Sequence, residues 1–251
     1  MPITPDLVEV NLGTVTSYGL ALANGFTGTH EEWVQKIIGG ASQADLDALA
    51  AEVHYVDLAI NTFTATPSTA EMGSTVSSVA LAFTISKIPT KLYLDNVEQT
   101  PAKTGTISRT GQTITQDKTY TLKATDEKNP NGVTKTAKIS FYNRICWGAA
   151  AAPGTVNSEF LLGLANAILS GTKGRTINKD GASDVNAGSG EYIWYAVPKR
   201  LGACSFKVGG FAGGFEAAQT VSVTNDSGYT EDYYVYRSTN AALGHPEIVV
   251  T

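Results

Sequence analysis

Apolar residues fall at Leu46, Leu49, Val53, Val56 and Ile60, at alternating spacings of three and four. That is a heptad seam, so residues 41–62 predict a short coiled-coil helix through which the chain oligomerises. Its polar face carries Asp45, Asp47, Glu52 and Asp57. Two heptads are marginal in isolation, and the competing reading is an amphipathic helix lying on a domain. Upstream, residues 1–16 read as an extended arm. Residues 17–24 predict a short helix opened by Ser17 and stopped by Gly25. Residues 29–38 predict a second, because Thr29 and Glu32 form a capping box and Gly39 stands where a terminating glycine belongs.

Beyond residue 62 the period drops to two. Val79, Leu81, Phe83 and Ile85 alternate with small or polar residues, and Lys91–Leu94, Tyr120 with Leu122, and Ala137, Ile139 and Phe141 follow the same rule. Turn residues separate the runs at Met72-Gly73-Ser74, Asp95-Asn96, Arg109-Thr110-Gly111 and Asn129-Pro130-Asn131-Gly132. Short strands with frequent turns predict an immunoglobulin-like β-sandwich over residues 63–145, without the cysteine and tryptophan pin of antibody domains. Residues 146–251 predict a second β domain bearing one helix at 158–170, capped by Ser158 and stopped by Gly171. Its strands are read at 192–197, 204–208, 221–224, 233–237 and 248–250. The expected fold is mainly β: residues 1–40 as arm and two short helices, 41–62 as the coiled-coil helix, then two sandwich-like domains.

Composition agrees with this pattern. Of 251 residues, 16% are charged and 25 are glycine. The average charged share is about 25%. Threonine numbers 31, of which 17 lie in residues 63–145. Charge is unevenly spread: net −7 over residues 1–62, +4 over 63–145 and −2 over 146–251. The overall charge of −5 argues against a nucleic-acid groove. MPITPDLVEV offers no basic and apolar leader, and no run approaches the roughly 20 apolar residues of a membrane span, so cytoplasmic synthesis without insertion is expected.

Candidate chemistry is sparse. Cys146 and Cys204 are too few for a disulfide scaffold and are read as unpaired thiols. His30, His54 and His245 sit in no metal or nucleophile pattern, and no Gly-x-Ser-x-Gly elbow occurs. Glu191, Glu231 and Asp232 could supply carboxylates, but nothing in their spacing pairs them. The loop 178–186 holds oxygen ligands without the EF-hand spacing and reads as a turn. Val208 to Phe215 carries two Gly-Gly pairs, read as tight turns with Phe211 and Phe215 as anchors. No catalytic residue, metal or cofactor is expected. Tyr192, Trp194, Tyr195, Tyr229, Tyr233, Tyr234 and Tyr236 cluster near the C-terminus. Trp194, Tyr195, Tyr229, Tyr234 and Tyr236 are candidate surface contacts for a glycan, with Asn225 and Asp226 as hydrogen-bond partners. The competing reading puts strand aromatics in the core.

Three stretches resemble known proteins. SYGLALANGFTGTHEEWVQKI (17–37), through Tyr18, Gly25, Phe26, Gly28, Thr29, Glu32 and Trp33, resembles a short module of bacteriophage fibre and tail proteins; Gly19 departs from it. TPSTAEMGSTVSSVALAFTIS (66–86) resembles the opening of Ig-like repeats in such proteins. EYIWYAVPKRLG (191–202), FKVGGFAGGFE (206–216) and NDSGYTEDYYVYRS (225–238) resemble their C-terminal module. The resemblance covers about half the chain and implies a non-enzymatic virion protein, a tail or head fibre attached through its N-terminal segment to other virion proteins. It further implies a homo-oligomer, by fibre precedent a trimer with a dimer as alternative, and a host surface glycan as the possible target. The other implied role is a structural decoration, neck or baseplate component without a receptor.

Overall fold

The computed structural model describes residues 18, 19, 21–37, 55–179 and 185–251. The chain divides into two compact units, Met1–Val56 and Asp57–Thr251.

In the first unit, residues 18–19 and 21–23 are helical. Gly25, at φ 93°, turns the chain so that its own N–H and that of Phe26 donate back to the Leu22 and Ala21 carbonyls at 3.1 and 2.9 Å. Helix α1 spans His30–Ile37. The capping box forms as predicted: Thr29 N donates to Glu32 Oε2 at 2.6 Å, and Glu32 N donates to Thr29 Oγ1 at 3.2 Å.

Leu46, Leu49 and Val53 of the predicted seam, with Ser17 and Gly39, lie outside the described residues. The C-terminal end of the seam needs correction. Residues 55–59 are not helical, Val56 is 52% exposed, and Ile60 opens a strand in a sandwich core. The sequence from Ile60 is INTFTAT, and its β-branched residues and period of two favour pairing in a sheet.

The second unit is mainly β. Its first half holds β1 (Ile60–Thr66), β2 (Thr69–Glu71), β3 (Val79–Ile85), β4 (Lys91–Leu94), β5 (Val97–Gln99), β6 (Thr104–Arg109), β7 (Lys118–Thr125) and β8 (Val133–Tyr142). One sheet has the order β1-β3-β6, the other β2-β8-β7-β4-β5. Only β2 on β8 is parallel among these pairs. Val79, Leu81, Phe83 and Ile85 are buried while the residues between them are half-exposed, and they share one core with Leu92, Leu94, Leu122 and Ile139 of the facing sheet. Asp95 and Asn96, both at positive φ, make the two-residue β4–β5 turn that their side chains tolerate. The observed sandwich starts a few residues before the predicted boundary at 63, because Leu58 and Ile60 already belong to its core.

The second half holds β9 (Arg144–Ala151), α2 (Ser158–Leu162), β10 (Asn166–Leu169), β11 (Arg175–Ile177), β12 (Glu191–Pro198), a 3-10 turn (Lys199–Leu201), β13 (Phe206–Val208), β14 (Phe211–Ala212), β15 (Gln219–Thr224), β16 (Thr230–Arg237) and β17 (Ile248–Val250). The sheets are β10-β9-β12-β16-β15 and β11-β17-β13-β14. The helix predicted over 158–170 is only five residues long. Asn157, not Ser158, caps it: its Oδ1 accepts from Phe160 N at 3.0 Å. Gly163 ends it, and residues 166–169 instead pair as β10 with Arg144–Trp147. A stripe of Phe160, Leu164 and Ile168 fits both periods, and an available sheet edge decided for the strand.

The β12 strand is buried along six consecutive residues, Ile193 to Pro198. Ile193, Tyr195 and Val197 pack toward the β11-β17-β13-β14 sheet in one core. Trp194 and Ala196 pack on the opposite face with Leu161 and Leu164 in a second core. This half is thus three layers, with α2 and the turn after it covering the back of the larger sheet.

Candidate functional site

In the first unit, Phe26 and Trp33, two residues of the fibre-module resemblance, gather with His30 around Tyr18, a third. Tyr18 packs edge-on against Phe26, His30 and Trp33, with ring centroids 6.3, 5.2 and 5.8 Å apart. Its hydroxyl donates to the Gly28 carbonyl at 2.8 Å. A Cβ on Gly28 would stand 2.6 Å from Phe26 Cζ and 2.7 Å from Glu32 Oε2, so a larger residue there would push on both the Phe26 ring and the capping carboxylate. Lys36 lies 5.6 Å above the Phe26 ring. The result is a small aromatic knot held by two turns of helix.

The C-terminal aromatics are placed differently from the glycan-contact expectation. Trp194, Tyr195 and Tyr236 are 2%, 0% and 4% exposed. Trp194 Nε1 donates to Ala150 O at 3.1 Å, Tyr195 Oη donates to Lys173 O at 2.6 Å, and Tyr236 Oη accepts from Cys204 N at 2.6 Å. Burial raises the pKa of both hydroxyls above the ordinary tyrosine value. These three are core residues and present no ring to a ligand. Because the larger sheet is covered on both faces, adjacent residues Trp194 and Tyr195 are both buried, which the alternation rule would not allow in a two-layer fold. Tyr234 is half-buried with Lys199 Nζ 5.6 Å from its ring centroid, and Tyr229 is exposed at the β15–β16 turn.

Asn225 and Asp226, expected at a sugar, serve instead at the junction between the two halves. Asn225 Nδ2 donates to Met72 O at 2.7 Å and to Asn143 Oδ1 at 3.3 Å. Its Oδ1 accepts from Ser227 N and Tyr229 N, both at 3.0 Å. Asp226 and Glu71 both pair with Arg144, at 3.2 and 2.9 Å. Asn143 Nδ2 donates to Glu231 Oε2 at 2.5 Å, and Arg200 Nε lies 2.8 Å from Glu231 Oε1. Asn143 is 2% exposed and is the one residue between β8 and β9, so the two sandwiches are joined without a linker. A Cβ on Gly73 would stand 2.7 Å from Tyr229 Cβ, which shows how closely the two halves meet. Sequence reading missed Asn143. Its signal was a polar Asn-Arg pair between two apolar runs, Ile139–Tyr142 and Ile145–Trp147.

A shallow groove of about 430 Å³ runs beside Cys204, Phe206, Phe215 and Tyr236. Phe215 stacks on Phe206 at 4.0 Å and anchors its loop as predicted, whereas Phe211, the other expected anchor, is 82% exposed. Gly209 and Gly210 form the tight turn before it, both at positive φ. Cys146 and Cys204 are free thiols, as expected. Burial pushes Cys146 up to about 12 and Cys204 up to about 11, so both are protonated at neutral pH.

Among the described residues, no three His, Cys, Asp or Glu side chains gather as metal ligands. Residues 180–184 of the oxygen-rich loop lie outside the described residues. Asn178 closes that loop, its Nδ2 donating to Val185 O at 2.9 Å and Pro246 O at 2.8 Å. No helix among the described residues is long and apolar enough to cross a membrane. No protein-family model matches the sequence, and no curated protein matches it.

Proposed function

We propose that the protein is a non-enzymatic structural component of a bacteriophage particle, an oligomeric surface fibre of tail or head that contributes to host-surface adhesion. The observation that carries this reading is the linkerless junction at Asn143 and Asn225. It makes residues 57–251 one compact unit, suited to holding a distal module at a set position on a particle. Support also comes from the aromatic knot of Tyr18, Phe26 and Trp33, three residues of the phage-fibre resemblance, which His30 joins. In this reading residues 1–40 attach to another virion protein, and the part of the predicted seam before residue 55 oligomerises the chain, as a trimer by fibre precedent. The sandwich built from β1 to β8 is an immunoglobulin-like spacer or weak glycan binder, a reading supported by its two facing sheets, antiparallel except for β2 on β8.

Immunogold electron microscopy of intact particles with an antibody to residues 146–251 tests the proposal. Label at the tail tip is expected for a receptor-binding fibre, and label around the capsid for a head fibre. A native particle lacking label, with denatured particles also negative in a blot, defeats the virion reading. A second reading is a decoration, neck or baseplate component without a receptor. The burial of Trp194, Tyr195 and Tyr236 favours it, because it removes three of the five expected sugar contacts. Unchanged adsorption of particles lacking the protein would select it.

A further inference from the structure

The β2-β8-β7-β4-β5 sheet turns one face to the core and the other outward. The register of β4 on β7 sets Lys91 opposite Thr125 and Tyr93 opposite Lys123. These four alternate with Leu92, Leu94, Leu122 and Ala124, which are fully buried, so all four project from the outer face. Together with Asn96 from the β4–β5 turn and Pro130 from the β7–β8 turn, they line a hollow of about 480 Å³. No carboxylate lines it. Glu98, the partner of Tyr93 on β5, and Asp95, next to Asn96 in the chain, are acids beside it.

The cations of this sandwich divide into ion-paired and unpaired ones among the described residues, and Lys103, Arg109 and Lys118 are unpaired as well. Lys87, Lys138, Arg144, Arg200 and Arg237 are held in ion pairs. Lys91 and Lys123 make none among the described residues. Two unneutralised ammonium groups share a concave surface with a half-buried tyrosine, in the segment of net charge +4 within a chain of net −5. A concavity of one charge sign raises the local concentration of counter-ions and attracts an anionic ligand. A tyrosine beside them adds a flat apolar surface with a polar tip, and Asn96 and Thr125 add neutral donors and acceptors.

We propose that this hollow binds an anionic saccharide. A sugar ring packs on Tyr93, its carboxylate, sulfate or phosphate lies between Lys91 and Lys123, and its hydroxyls bond Asn96 and Thr125. The adhesive site is then on the first sandwich and not among the C-terminal aromatics. The biological meaning rests on the adhesion reading above, while the binding itself is independent of it.

The test titrates the full chain, at low salt, with a heparin-derived octasaccharide, a neutral dextran oligosaccharide and inorganic polyphosphate, following backbone amide shifts. Saturable heparin binding with the largest shifts at Tyr93 and Lys123 is expected, with none for dextran. Lys91→Glu with Lys123→Glu should weaken heparin binding about tenfold or more without lowering the melting temperature. Tyr93→Ala should weaken heparin about fivefold and leave polyphosphate unchanged. Shifts centred elsewhere, or a charge-reversed double variant that binds heparin as before, would overturn the proposal. So would polyphosphate binding as tight as heparin with Tyr93→Ala harmless. Heparin binding in the hollow with no antibody label on particles would defeat the virion reading alone, and labelled particles with no binding would defeat this site alone.

Discussion

The central strands of the two sandwiches are buried in opposite ways. In the first, β3 reads VALAFTI and buries every second residue. In the second, β12 reads EYIWYAVP and buries both faces from Ile193 onward. The difference comes from a third layer. The back of the β10-β9-β12-β16-β15 sheet is covered by α2 and its following turn, with Phe160 edge-on to Trp194 at 5.0 Å. Among the described residues the first sandwich has no such cover, and its outer faces carry threonine and lysine. An aromatic residue therefore means opposite things in the two places: Tyr93 lines an open hollow, and Trp194 fills the core behind the larger sheet.

Adjacent truncations in each sandwich separate the two burial patterns. Trp194→Ala and Tyr195→Ala should each destabilise by about 3–5 kcal/mol, since both empty a core. In the first sandwich Leu92→Ala should cost about 2–5 kcal/mol, and its neighbour Tyr93→Ala no more than about 0.5 kcal/mol. Chemical denaturation measures all four, and a mild Trp194→Ala would remove the third layer from the account.

The junction offers the next largest effect. Asn225→Ala leaves the Met72 carbonyl and the Ser227 and Tyr229 amides without their partner, and should cost about 1–3 kcal/mol. It should also separate the melting of the two halves in calorimetry, and a single unbroken transition would deny the junction its coupling role. Gly73→Ala, at φ 84° and against Tyr229, should cost about 1–2 kcal/mol by strain alone.

The smallest effect is electrostatic. Lys138 and the Phe141 amide, at 2.6 and 2.8 Å, hold the Asp117 carboxyl below its ordinary value. Its contribution is complete above the unfolded carboxylate value, and is lost as pH falls below about 4 through the lower folded value. Asp117→Asn should flatten the acid limb of a stability-against-pH curve slightly, because the pair is half exposed.

Much of the first sandwich was legible from residue order. Val79–Ile85, Lys91–Leu94 and the Asp95-Asn96 turn lie where alternation and turn chemistry put them. So were the Thr29–Glu32 capping box and the unpaired thiols. The Ile60 strand was not, since an apolar residue every three or four positions fits a helix and the end of a seam can equally start a strand. Residues 163–170 failed for the same reason, because Leu164 and Ile168 suit either period. Trp194, Tyr195 and Tyr236 were expected at the surface and are core, because clustering in sequence does not say which faces of a sheet are covered.

Local chemistry by itself determined the short-range features: caps, tight turns, strand alternation and the division of charge among segments. Each depends on residues a few positions apart, whose geometry the backbone sets. The tertiary structure alone decided that Asn143 and Asn225, 82 residues apart, share a hydrogen bond and that Trp194 lies between two layers. It also decided that Lys91 and Lys123 flank one hollow. Those outcomes depend on which surfaces are brought together when the core closes, and a burial pattern is a property of the partner surface as much as of the strand that carries it.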